Sequence, residues 1–297
     1  MNSAYSSAVT IIILVCISLI FSLICAQNGL QSDGLPVLFI CVGIAIVTQW
    51  IIFVPSYLLQ TEKYYDLTGS ITTLLIMGSA SFLKTKLAPN GLDSRSFILA
   101  FLVSVWTIRL GVFLYMRIRK AGEDKRFREW KKSWHIFLRT WTIQGVWVFF
   151  TCLAALTAIT GSNDKPVDIS LYIGLIIWLI GFSIEFVADL QKSRFRDEPN
   201  NKNKFINSGL WSLSRHPNYL GEIILWFGIS IIALPVLKGW QYFSLISPIF
   251  VYVLLTKVSG IPILEKEAEK KWGTKKSFQS YKKQTPLLFP KLKSIIY

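Results

Sequence analysis

The chain alternates long apolar runs with short polar loops, and the lengths of the runs decide its class. A helix rising 1.5 Å per residue needs roughly 20 residues to cross a hydrocarbon core of about 30 Å. Apolar runs near 8–26, 35–59, 67–84, 96–116, 140–160, 168–190, 218–237 and 241–257 meet or approach that length. The pattern predicts an all-α fold, a polytopic membrane helix bundle of about eight transmembrane helices with a cofactor pocket on the cytoplasmic side. Met1 to Val9 contains no Lys or Arg, whereas a secretory signal opens on a basic region, so the first run is expected to be a membrane helix. Residues 1–60 read as N-terminal scaffold helices and residues 61–297 as the chemically equipped membrane domain.

Composition agrees with the pattern. Hydrophobic residues make up 52% of the 297 residues, charged residues only 16%, and the mean hydropathy is +0.46. The net charge of +15 would suit nucleic acid if the cations were scattered over a soluble surface, but they are not. With eight spans, most of the 32 basic residues fall on the side shared by the termini and the even-numbered loops. That asymmetry places both termini in the cytoplasm of a multi-pass protein. The membrane would be the plasma membrane in a bacterium and the endoplasmic reticulum in a eukaryote. Cys16, Cys25, Cys41 and Cys152 sit inside apolar runs without ligand spacing, so reduced, buried thiols and no metal site are expected.

The densest chemistry lies in Gly209-Leu210-Trp211-Ser212-Leu213-Ser214-Arg215-His216-Pro217-Asn218-Tyr219-Leu220-Gly221-Glu222. Pro217 suits the first position of a helix, where its missing N–H costs nothing. The orphan N–H groups of that helix entrance, with Arg215 and His216 beside them, form a receptor for a phosphate or another anion. Asn218 and Glu222, four apart, share a face behind it. Upstream, Glu185, Asp189, Lys192 and Arg196 draw one polar stripe from the membrane to the loop beyond. The loop 197–204 that follows is polar and turn-rich, and reads as mobile. Arg109 lies within an apolar run, so it should face the bundle or a wet cavity and have a partner. Arg117, Arg119 and Arg126 read either as a solvated membrane-surface face or as a cradle for an anionic cofactor, since guanidinium forks match phosphate oxygens. Between the second and third runs, Tyr64, Tyr65 and Asp66 read either as an interfacial belt with Asp66 as a helix N-cap or as groups facing a substrate. Gly273 is placed to cap a short helix carrying Leu264, Glu265 and Ala268.

Taken as a set, several motifs resemble the largely uncharacterised branch of the steroid 5-alpha-reductase-like membrane proteins. They are Trp106-x-x-Arg109-Leu110-Gly111, Asp124-Lys125-Arg126-Phe127, Asp189-Leu190-Gln191-Lys192, Gly209-Leu210-Trp211, Ser214-Arg215-His216-Pro217-Asn218-Tyr219-x-Gly221-Glu222, Gly260-Ile261-Pro262-x-Leu264-Glu265, Trp272-Gly273 and Tyr281. The resemblance runs from about residue 60 onward and implies a reductase that binds NADPH among its C-terminal helices and passes a hydride to an electron-poor carbon–carbon double bond of a steroid-like or other lipid. It further implies that Asn218, Glu222, Asp189 and Tyr281 help hold the cofactor. Together with the anion-receptor reading, the expected cofactor residues are Arg117, Arg119, Arg126, Asp189, Lys192, Arg194, Arg215, His216, Asn218, Tyr219, Glu222, Glu265 and Tyr281. Hydride addition to an enone builds charge on oxygen, and Tyr64, Tyr65, Asp66 and Glu185 are the candidate acids or hydrogen-bond donors. In this family the carbonyl is polarised by an early-helix Glu and a later Tyr; here Trp106 stands roughly at the Tyr position and the Glu has no secure counterpart.

Two other readings use the same residues. Isoprenylcysteine and phospholipid methyltransferases also carry Arg-His-Pro-x-Tyr and would bind S-adenosylmethionine. They tend to place paired glutamates before a Phe-Gly, where this chain has Leu264-Glu265 before Trp272-Gly273. A lipid transporter or receptor would need only intramembrane polar groups, but the absence of internal repeats argues against it. The expected partners are a lipid or steroid-like small molecule and membrane lipids, with no nucleic acid.

Overall fold

The computed structural model describes residues 3–124 and 126–291. Its elements, in order, are α1 (Ser3–Cys25), a two-residue hairpin of β1 (Gln31–Ser32) and β2 (Leu35–Pro36), α2 (Val37–Leu58), α3 (Tyr65–Leu87), α4 (Ser94–Ala121), α5 (Phe127–Trp130), α6 (Trp134–Thr160), α7 (Ile169–Asp197), α8 (Leu210–Leu213), α9 (Pro217–Ala233), α10 (Ile246–Val253), α11 (Gly260–Trp272) and α12 (Lys276–Gln284). Among the described residues, eight helical segments are long and apolar enough to cross a membrane, and they coincide with the eight runs read from the sequence. The fold is a polytopic helical bundle.

Two compact units divide the chain: Met1–Leu171 with Ile232–Ser247, and Tyr172–Ile231 with Pro248–Tyr297. In the first, α6 is the central helix, packed by α1, α2, α3 and α4 and buried along most of its length. Small residues permit that packing. A Cβ on Gly145 would lie 2.9 Å from the Ala45 carbonyl oxygen of α2, so only glycine allows this approach. In the second unit α7 and α9 cross in the same way: a Cβ on Gly221 would lie 2.5 Å from the Glu185 amide nitrogen and one on Gly181 2.6 Å from the Gly221 carbonyl oxygen. Such close backbone approach is how membrane helices gain dispersion contacts when lipid supplies no hydrophobic drive.

Helix ends are set by local chemistry. The Asp93 side chain accepts from the amides of Arg95 and Ser96 at the start of α4, and Gly122 closes that helix at φ +81°. Asp168 receives the amides of Ser170 and Leu171 at the start of α7. The expected N-cap at Asp66 is not formed: Tyr64 occupies the cap position of α3 and Asp66 lies in the first turn. Gly273 follows α11 in right-handed helical geometry, φ −56°, because the chain turns straight into α12 without a left-handed step. After α10 a π turn over Leu254–Val258 leads into α11. Pro262 is tolerated there because the first-turn amides have no helical partner.

Buried charge marks the ends of α3 and α4 in the first unit. Lys84, 1% exposed, is gripped by Asp93 at 2.7 Å and Asp164 at 2.6 Å. The Arg95 guanidinium reaches Asp168 at 3.1 Å and the carbonyls of Pro166 and Ile232. These contacts tie the α3–α4 and α6–α7 loops to the end of α9, and the charges are paired as desolvation demands. Cys25, Cys41 and Cys152 are buried and free, as expected, but Cys16 stands exposed on the outer surface of α1.

Candidate functional site

The second unit gathers its polar side chains around the turn that precedes α9. Gly209 takes φ +59°, which lets the chain reverse beneath α7, and the amide of the next residue donates to the Gln191 side-chain oxygen at 3.0 Å. A Cβ at Gly209 would lie 2.6 Å from that same side chain. The indole of Trp211 donates to the Ala188 carbonyl, and the Lys192 ammonium lies over its ring at 4.4 Å. Pro217 is the first residue of α9, as its chemistry requires.

At this entrance Glu265 of α11 holds two neighbours at once. Arg215 donates to one carboxylate oxygen at 2.5 Å and the His216 ring nitrogen Nε2 lies 2.8 Å from the other. Burial depresses the His216 pKa most, Glu265 opposes that, and Lys192 and Arg215 add to the depression; the net direction is down, favouring neutral imidazole. The ring stacks on Tyr219 with centroids 5.8 Å apart. At the second position of α9, the Asn218 side-chain amide donates to Asp189 of α7 at 3.2 Å.

Several atoms of this cluster are buried without a hydrogen-bond partner among the described residues: His216 Nδ1, Asn218 Oδ1 and Arg215 Nε. A donor-or-acceptor ring nitrogen, an acceptor and a cationic donor are thus left incomplete together, and such groups are costly to bury unsatisfied. The segment after α11 straps this turn from outside. Tyr281 donates to the Trp211 carbonyl at 2.6 Å, the Arg215 amide donates to the Pro286 carbonyl at 3.0 Å, and Leu288 packs with Leu220 and Ile261. Burial raises the Tyr281 pKa far above the usual phenol value, so the hydroxyl is a donor at all ordinary pH.

Residues 52–285 match the family described as protein of unknown function DUF1295. The chain belongs to this family. An uncharacterized protein of Schizosaccharomyces pombe is 24% identical to this DUF1295 chain over 217 residues, 61% of each. A protein of Acanthamoeba polyphaga mimivirus named a probable 7-dehydrocholesterol reductase is 29% identical over 147 residues, 42% of this chain and 31% of that protein. A protein of Ustilaginoidea virens named a probable O-methyltransferase is 32% identical over 85 residues, 28% and 30% of the two chains. The DUF1295 chain thus spans less than two thirds of the length of each.

Of the residues singled out in the sequence, the second unit of this DUF1295 protein brings together Asp189, Lys192, Arg215, His216, Asn218, Tyr219, Glu265 and Tyr281. Glu185 is buried on α7 and Glu222 half-buried on α9, while Arg194 is exposed. The first unit carries the others. Arg117 approaches Asp66 at 3.5 Å, Arg119 lies over Tyr115, and Arg126 forks onto Asp124. Burial alone would raise the Asp124 carboxyl, but the hydrogen bonds and charge of Arg126 outweigh it and hold it below the usual carboxylate range. Tyr65 is packed against Phe127 and Trp141 with its hydroxyl on the Thr140 carbonyl, whereas Tyr64 is exposed.

Two members of these clusters carried no assigned role in the sequence. Gln191 fixes the Gly209 turn, and its only signal is its place beside Asp189 and Lys192. Glu62 is 4% exposed and takes the Asp124 amide at 2.9 Å and the Lys131 ammonium at 2.7 Å. The loop 197–204, read as mobile, is held by a turn at Pro199–Asn201 and by the Trp272 indole donating to the Asn203 carbonyl.

Proposed function

We propose that this protein is a membrane-embedded NADPH-dependent reductase acting on a carbon–carbon double bond of a steroid-like or other lipid, of the steroid 5-alpha-reductase-like group. The observation that carries the reading is the incomplete polar cluster at the entrance of α9, where His216 Nδ1, Asn218 Oδ1 and Arg215 Nε are buried and unpartnered among the described residues. These atoms fit a dinucleotide, which offers both anionic oxygens and amide groups. Arg215, Lys192 and the first-turn amides would take phosphate, and Asn218, Asp189, Glu222 and His216 the uncharged portions, with Tyr219, Glu265 and Tyr281 holding the turn in shape. Arg194 keeps the role of a further anion contact, and Arg117, Arg119 and Arg126 are anion-binding candidates of the first unit. The mimiviral relative named as a probable 7-dehydrocholesterol reductase favours a reductase over other membrane functions.

When bound, NADPH supplies a hydride. The protein must then stabilise charge that builds on the substrate oxygen and provide a proton donor. Tyr64, Tyr65, Asp66 and Glu185 are the candidates. Glu185 is 2% exposed in a membrane-spanning helix. The termini are proposed to lie in the cytoplasm, where the cofactor is available.

The competing reading is a lipid-directed methyltransferase using S-adenosylmethionine, favoured by the relative named as a probable O-methyltransferase. A thermal-shift comparison of NADPH, NADH and S-adenosylmethionine on detergent-purified protein separates the two. NADPH at 100 times its dissociation constant should stabilise by about 2.7 kcal/mol, and Arg215→Ala should abolish that shift at the same concentration. Stabilisation by S-adenosylmethionine alone would sink the reductase reading.

A further inference from the structure

The interior of the first unit contains a second set of incomplete polar groups. Along α3, Tyr65, Gly69 and Thr72 follow one another at i, i+4 and i+7, on one face of the helix. Each meets a polar side chain of a neighbouring helix. The Tyr65 ring contacts Trp141 of α6 with centroids 5.2 Å apart. Gly69 makes room for Gln144 of α6, whose amide nitrogen would lie 2.7 Å from a Cβ at that position. Thr72 accepts a 2.9 Å hydrogen bond from Gln49 of α2.

The hydrogen bonding of this stripe stops short. Trp141 Nε1, Gln144 Oε1 and Gln49 Oε1 are all buried without a partner among the described residues, and the three residues are 0%, 8% and 0% exposed. For Gln49 the orientation is fixed by chemistry. Thr72 gives its hydroxyl hydrogen to the Thr68 carbonyl at 2.8 Å, so it can only accept from Gln49, which must present its N–H₂ to Thr72 and its carbonyl elsewhere. The stripe therefore holds one indole N–H with nothing to donate to and two amide carbonyls with nothing to accept from.

Trp141 and Gln144 lie three apart on α6, where side chains are neighbours, roughly 5–6 Å between Cβ atoms. A hydroxyl is the smallest group that completes such a pair: its oxygen accepts from the indole and its hydrogen goes to the amide carbonyl. A ketone oxygen would complete only the indole, and a hydrocarbon neither. The helices that carry these residues are long and apolar enough to cross a membrane, so a molecule that reaches the pair from the bilayer is apolar apart from its hydroxyl.

The geometry points to a recognition site for the hydroxyl group of a lipid alcohol between Trp141 and Gln144, with Gln49 as an adjoining acceptor. This deepens the reductase reading by assigning its substrate class, a lipid bearing a free hydroxyl, but it stands on residues of the first unit and not on the cofactor cluster. An ordered water has the same chemistry, and the test must separate the two sources.

Detergent-purified, cofactor-free protein should be titrated with cholestanol, cholestanone and cholestane, with binding read by native mass spectrometry. Cholestanol should bind at least tenfold more tightly than cholestane, with cholestanone between them. Gln144→Leu and Trp141→Phe should each bring cholestanol down to the level of cholestane. In the absence of lipid, Gln144→Leu should leave the melting temperature unchanged or raise it, since it removes an orphaned acceptor. Equal binding of the three lipids overturns the proposal. So does an alcohol preference that survives both substitutions, or a lowered lipid-free melting temperature in Gln144→Leu, which is the mark of a resident water. The NADPH thermal shift is measured on the same preparation. Its absence beside an intact alcohol preference would count against the reductase reading alone, and its presence beside equal lipid binding would count against this site alone.

Discussion

Glu265 illustrates how a single carboxylate can organise a helix entrance. It satisfies Arg215 and His216 together, and in doing so holds the His216 ring against Tyr219 with Nδ1 pointing away from the pair. Because burial lowers the His216 pKa in the folded state, the unfolded chain binds its proton at higher pH than the native one. The sign of the linkage follows: stability is complete above the ordinary histidine value of about 6.5 and falls as pH is lowered from there through the depressed native value. The groups facing the ring that set this are Glu265, Lys192 and Arg215. Thermal unfolding in detergent between pH 7.5 and pH 5 should show the decline, and His216→Gln should flatten it. An unchanged pH slope in the variant would assign the decline to other groups. The residues of this cluster were legible in the sequence because Arg215, His216, Pro217 and Asn218 are contiguous. Glu265, 50 residues beyond Arg215, could be placed there only through resemblance, since nothing in local pattern tells which distant acid answers a cation.

Packing at the level of helices rests on glycine where α7 and α9 cross. With the Glu185 amide nitrogen 2.5 Å from where a Gly221 Cβ would stand, Gly221→Ala should force the helices apart and cost about 1–3 kcal/mol, read as a lower melting temperature. The cofactor-dependent shift should weaken with it, because Asn218 on α9 donates to Asp189 on α7. The buried ion cluster at the ends of α3 and α4 gives a second expectation. Lys84→Met would leave Asp93 and Asp164 facing each other without a cation, at a cost of about 3 kcal/mol, the low end for a buried pair because both acids are partly exposed. Double replacement with Asp164→Asn should recover part of the loss. Helix positions were readable from apolar run length, which is why all eight spans fell where expected. The Lys84 and Arg95 cluster was not, because pairing partners lie in other loops, and charges near span ends look the same whether they face water or each other.

For the whole chain, the distribution of basic residues and the eight-span count together predict that the loop carrying Lys165 and the loop carrying Lys202 lie on opposite sides of the membrane. Single cysteines introduced at these positions, in a background lacking the exposed Cys16, should differ in labelling by an impermeant maleimide applied to intact cells. Lys165→Cys should label and Lys202→Cys should not. Labelling of both from outside would break the topology. The fold class was open to the sequence because a bilayer imposes a length on each element. Substrate identity was less open, since polar groups such as Gln49 and Gln144 acquire meaning only when neighbouring helices bring them to one stripe.

The strap from Tyr281 to Leu288 has a consequence for biosynthesis. It closes over the turn at Trp211–Arg215 through contacts from residues translated after all eight spans. A chain ending between residues 273 and 281 would therefore carry all eight spans but lack the Tyr281 hydroxyl on the Trp211 carbonyl, leaving the α9 entrance unbraced.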